Sequence, residues 1–168
     1  MQNLKNLLKS KLKNAARIAL LGVGSEFRCD DVAGMLVAKG ISEKIERPDF
    51  KVFFGATAPE NLTGEIKKFA PSHLLIVDAA DIGQKKAKVA ILCSEEISGA
   101  TFSTHRLPVK LIASYLSKAI SCDTTVLGIY PESFEFGKKP SPRVVEAADE
   151  LVQLLEEVIC KSLKVQPT

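Results

Sequence analysis

Ile18-Ala19-Leu20-Leu21-Gly22-Val23 carries no polar side chain and is closed by Gly24. The run is continuously apolar rather than alternating. Such a strand is buried on both faces, as in parallel sheets covered by helices above and below. A polar loop follows, Ser25 to Asp30. A helix is expected near Asp31, with Val32, Met35, Leu36 and Ile41 as candidate buried positions. Asp30 and Asp31 suit its first turn, where carboxylates meet exposed N–H groups.

The same pattern recurs downstream. Lys51-Val52-Phe53-Phe54 reads as a second strand. Thr57-Ala58-Pro59-Glu60 has capping-box form and opens a helix to about Ala70. Leu74-Leu75-Ile76-Val77 is a third buried strand, ending at Asp78, and residues 87–92 form a fourth. A loop with Ser103-Thr104-His105-Arg106 leads to a helix near Pro108. Thr125-Val126-Leu127-Gly128-Ile129 is a fifth strand. Ser141-Pro142 opens a last helix in which Val145, Ala148, Leu151, Val152, Leu155 and Ile159 recur at helical spacing. Buried strands alternating with amphipathic helices predict an α/β fold: a three-layer αβα domain, phosphorylase/hydrolase-like, on a largely parallel sheet of about five strands.

Upstream, residues 2–14 place Leu4, Leu7, Leu8 and Leu12 on one helical face with lysines opposite. This 1–16 segment reads as a basic amphipathic extension packed on the domain, or as a docking or membrane-surface helix. The α/β domain then spans 17–162, and 163–168 is a frayed tail. The chain has 168 residues, one domain's worth, and its net charge is +3. Lys5, Lys9, Lys11, Lys13 and Arg17 lie among the first 17 residues with no acid, so the remainder carries −2. That balance argues against nucleic acid as partner. No apolar run approaches the ~20 residues of a membrane span. No signal peptide is evident, and Cys29, Cys93, Cys122 and Cys160 form no C-x-x-C pair. These features predict reduced thiols and a cytoplasmic protein.

Ligands of open α/β sheets bind beyond the carboxyl ends of the strands. Three metal-competent residues map there. Asp31 follows the first strand, Asp78 ends the third, and His105 lies in the loop after the fourth. Two carboxylates and an imidazole leave coordination positions open, as catalytic metal sites do. Two carboxylates brought together resist joint ionisation unless a cation sits between them. Taken singly, each residue has an ordinary explanation: a cap, a turn, a solvated imidazole. Their shared placement points to a site. Gly22-Val23-Gly24 suggests a dinucleotide turn, but Phe27 stands where the third glycine belongs and no acid ends the second strand. Cys29 could be a nucleophile paired with His105, although flanking acids disfavour its thiolate. His73, before a buried strand, reads as structural.

Gly22-Val23-Gly24-Ser25 with Asp30-Asp31 resembles the opening motif of the hydrogenase maturation proteases. Thr57-Ala58-Pro59-Glu60-Asn61, Leu74 through Asp81, Ser103 through Pro108 and Leu127 through Glu132 are similar to later motifs of that family, in the same order. The forms are most similar to the branch serving formate hydrogenlyase, hydrogenase 3 and related membrane-bound hydrogenases. The resemblance implies an endopeptidase that removes a C-terminal extension from the precursor of a [NiFe]-hydrogenase large subunit after nickel insertion. By motif match, Asp31, Asp78 and His105 would be its nickel-binding and catalytic set, the nickel being supplied by the precursor. It implies a peptidase of aspartic type, and a monomer is expected. Ser25 stands where the family usually has Asn, Val32 where Gly is usual, and Phe54-Gly55-Ala56 replaces an acid-glycine-glycine run. Two other readings use the same residues: an assembly factor that senses nickel without cutting, and a thiol peptidase of Cys29 with His105.

Overall fold

A computed structural model describes residues 1–81, 88–92, 101–102 and 106–163. Among these, the elements in chain order are α1 (Gln2–Lys11), β1 (Ile18–Val23), α2 (Ala33–Ser42), β2 (Phe50–Ala56), α3 (Thr63–Phe69) and β3 (His73–Asp81). Then follow β4 (Val89–Leu92), β5 (Thr101–Phe102), α4 (Arg106–Ile120), β6 (Asp123–Ile129) and α5 (Pro142–Ser162). The main sheet has the order β2-β1-β3-β6-β4, with β5 paired to the end of β3. Pairings β1–β2, β1–β3 and β3–β6 are parallel, while β4 runs antiparallel to β6. The expected α/β fold, with a largely parallel sheet, is the one observed.

All six residues of β1 are buried. Alternate positions feed opposite layers, as a pleated strand requires. Ile18 and Leu20 join Leu75, Val77, Leu127 and Ile129 in a core shared with α1, α2 and α5. Ala19, Leu21 and Val23 join Leu74, Ile76 and Val126 in a second core under α3 and α4. The three-layer reading holds because the five strands of the main sheet supply both cores.

Residues 1–16 are built into the first core. Leu4, Leu8 and Leu12 are buried in it and Lys5 Nζ lies 2.5 Å from Glu157 Oε2 on α5. Leu7, assigned to the same face, is instead 47 % exposed. Leu8→Ala is therefore expected to cost about 2–4 kcal/mol, measured as a fall in urea-unfolding free energy. An unchanged midpoint would mean that α1 is dispensable packing. At the other end, Leu163 is buried rather than frayed, and 164–168 lie outside the described residues.

Two helix starts differ from expectation. A 3-10 turn, Cys29–Val32, precedes α2, and another, Pro59–Leu62, precedes α3. The residue capping the second turn is Ala58, with no side-chain cap bond, so the Thr57 capping box does not form. Neither Asp30 nor Asp31 caps α2; their carboxylates are used elsewhere. Within α2 the buried positions are Ala33, Gly34, Val37, Ala38 and Ile41, whereas Met35 and Leu36 are half-buried. On α5 the expected stripe holds from Ala148 onward, but Val144 is buried in place of the exposed Val145.

Candidate active site

The chain leaves β1 towards β2 on one side and later enters β3 on the other. The crevice between the carboxyl ends of β1 and β3 is thus the point where strand order reverses, the usual ligand position of such sheets. Asp31 and Asp78 flank it. The last β1–β3 pair is Gly22 with Val77, and Asp78 lies one residue further along β3, opposite Gly128 of β6.

Asp31 is brought to the same rim by close packing of backbone on backbone. Gly34, one turn after Asp31, sits where a Cβ would lie 2.1 Å from Val77 O and 2.3 Å from Val23 O. The start of α2 is therefore seated across the ends of both strands. Gly24, at φ +133°, lets the 3-10 turn lie on the end of β1: a Cβ there would be 1.7 Å from Asp31 O. The second glycine of the G-x-G run serves this contact.

Asp31 and Asp78 are 1 % and 0 % exposed. Asp31 Oδ2 accepts a hydrogen bond from Ser25 N (3.1 Å), and Asp78 Oδ1 from Ala79 N (2.8 Å). Those bonds orient each side chain. Two carboxylates buried beside apolar strands at one rim are poorly solvated as anions. A divalent cation would offset that cost, and its charge would dominate the local field. The donor chemistry therefore fits a hard-to-borderline metal ion. Among the described residues no group of three His, Cys, Asp or Glu is placed to hold an ion. His105, the third expected ligand, lies outside those residues. In sequence it immediately precedes α4, which covers the sheet face towards which the alternation Leu74, Ile76, Asp78 directs the Asp78 side chain.

Asp30 has a role the sequence did not disclose. It is fully buried, and its carboxylate reaches across the chain to the loop after β6. Oδ2 accepts from Glu132 N (2.7 Å), Ser133 N (3.1 Å) and Ser141 Oγ (3.1 Å), and Oδ1 from Ser141 N (2.6 Å). Ser141 in turn caps α5 through Val144 N. Charge-assisted bonds of this kind contribute about 1.5–3 kcal/mol each. The two neighbouring acids are thereby divided in labour: Asp30 ties the turn to the 130–141 loop, and Asp31 accepts from Ser25 N just beyond β1. A doublet of acids inside a buried turn was the available signal, since adjacent side chains cannot share one direction.

Cys29 is buried at φ +44°, and its thiol donates to Lys139 O at 3.2 Å. His73 sits at the opposite end of β3, with Nδ1 2.9 Å from Ser72 Oγ. It is structural, as expected.

The fold is shared with proteins of known structure. A model of the hydrogenase maturation protease family matches residues 35–158. The chain belongs to the hydrogenase maturation protease family. It is 33% identical over 163 residues to a provisionally named hydrogenase maturation protease of Methanocaldococcus jannaschii, covering 93% of this chain and 96% of that one. The crystal structure of a [NiFe] hydrogenase maturation protease from Thermococcus kodakarensis superposes with a TM-score of 0.83 at 30% identity, over 92% of this chain and 99% of that chain. The solution structure of an Escherichia coli endopeptidase, HycI, gives 0.72 at 28% identity, over 84% and 90%. As a member of this family the chain is a peptide hydrolase.

Proposed function

We propose that this maturation protease removes the C-terminal extension of a [NiFe]-hydrogenase large-subunit precursor, and that it does so only once nickel is in place. The observation that carries the reading is the pair of buried carboxylates at the switch point, Asp78 near the end of β3 and Asp31 in the turn between β1 and α2. The names of its relatives supply the substrate class. With His105 as third ligand, Asp31 and Asp78 would hold nickel borne by the precursor, leaving positions for the precursor's own ligands. A cut made conditional on the metal follows from that sharing. Bound there, the ion would supply Lewis acidity at the scissile carbonyl. Hydrolysis adds water across the peptide: the C–N bond breaks, oxygen joins the carbonyl carbon, and the released amine takes a proton. The carboxylates fix the geometry of that addition and neutralise the cation. The free thiols Cys29, Cys122 and Cys160 suit a cytoplasmic setting, and among the described residues no helix is long and apolar enough to cross a membrane. The test is incubation of an extended, nickel-loaded precursor with the protease, read as loss of the extension by mass.

A thiol mechanism is disfavoured by the burial of Cys29 and its bond to Lys139 O. Cys29→Ala is expected to retain cleavage within about threefold of the parent, since a nucleophile's removal typically costs several decades. A loss beyond a hundredfold in progress curves, with an unchanged melting temperature, would restore the Cys29–His105 reading.

A further inference from the structure

Phe136 and Phe27 are the two most exposed large apolar side chains among the described residues, at 78 % and 69 %. They come from different loops yet stand together, ring centroids 6.4 Å apart and nearly stacked. Phe27 lies in the turn that leads to Asp31, and Phe136 in the 130–141 loop that follows β6. Both loops rise from the rim that carries Asp31 and Asp78.

The pair is held in place by polar bonds beneath it. Gly137 N donates to Phe27 O (2.8 Å) and Asp30 N to Ser133 O (3.1 Å). The Asp30 carboxylate adds its four bonds to Glu132, Ser133 and Ser141. Exposed apolar area that is fixed rather than mobile marks an interaction surface. Pre-ordering it removes part of the entropy lost on binding. Charges of both signs border it: Glu26, Arg28, and an ion pair between Lys138 and Glu135. A partner selected by net charge would find no complement here, so the surface suits an apolar group.

We infer that Phe27 and Phe136 form a fixed aromatic lip that grips an apolar side chain of the precursor polypeptide beside the bond to be cut. This rests on the endopeptidase reading, because it is the continuity of the lip with the Asp31 rim that makes the cleaved chain its occupant. Asp30 acts as a positioning residue for the lip. Its amide could not replace it, since each oxygen accepts from a backbone N–H and an NH2 group would face one of those donors.

The experiment compares the parent with Phe27→Ala/Phe136→Ala on a nickel-loaded, C-terminally extended large-subunit precursor. KM is expected to rise about tenfold with kcat within twofold, on the scale of removing one aromatic anchor. Phe27→Leu/Phe136→Leu should restore most of the affinity, and melting temperatures should not move. Asp30→Asn should raise KM as well, without adding to the effect of the double alanine variant. Affinity for the same precursor in an Asp78→Asn background, where nothing is cut, should fall by the same factor. Unchanged KM and affinity in the double alanine variant overturn the lip. A parent that binds the precursor without shortening it overturns the endopeptidase reading alone, and the affinity comparison still decides the lip. A parent that neither binds nor cuts overturns both.

Discussion

Asp31→Asn and Asp78→Asn are each expected to abolish cleavage in a chain that stays folded. The amide keeps the shape, and its oxygen can still accept from Ser25 N or Ala79 N, the bonds that orient the two side chains. What disappears is the negative charge, and with it the grip on a divalent cation. A loss on the order of a thousandfold in kcat/KM corresponds to about 4 kcal/mol of transition-state stabilisation. Stability should move the other way or not at all. Removing one buried charge relieves its desolvation, so the metal-free variants should melt at or slightly above the parent. The combination separates a site from a scaffold: a structural pair of aspartates would lose stability and activity together. Cleavage at the parental rate by either variant would remove the carboxylates from the chemistry.

The second large effect is structural. Gly34→Ala would drive a Cβ to 2.1 Å from Val77 O, 2.3 Å from Val23 O and 2.7 Å from Val23 N. All three neighbours are backbone, so no side chain can yield, and α2 must lift from the ends of β1 and β3. Overpacking in cores costs typically 1–3 kcal/mol and occasionally more. The absence of any flexible neighbour places this variant at about 3 kcal/mol or above. Because the same seat carries the turn with Asp31, cleavage by the surviving folded fraction should fall too. Chemical denaturation of the purified variant, alongside its specific activity, gives both readouts. A parental unfolding midpoint would mean that α2 packs on the strand ends more loosely than these distances require.

The strands were legible because burial on both faces leaves a plain mark. Ile18–Val23 and Leu74–Val77 are unbroken apolar runs, and each feeds two cores. The antiparallel direction of β4 was not legible, since composition carries no sign of pairing direction. Neither was β5, whose two residues are too short for any period to show. Helix starts went astray where tertiary structure offered better partners. Asp30 reads locally as a first-turn acid, yet its carboxylate is satisfied by donors more than 100 positions away. Thr57 has a capping-box neighbour in Glu60, but the chain enters a 3-10 turn at Pro59 instead. Of the site, Asp31 and Asp78 could be proposed from their positions at strand ends, because parallel topology sends both ends to one rim. The fixed Phe27–Phe136 pair could not, as it joins loops whose association no local pattern encodes.

The most direct measurement is the intact mass of a C-terminally extended large-subunit precursor after incubation with the protease, with nickel and without it. The nickel-loaded chain should shorten by a single C-terminal fragment, and the nickel-free chain should keep its full mass. A loaded precursor of undiminished mass, or equal cutting of both forms, would contradict a metal-conditioned endopeptidase built on Asp31 and Asp78.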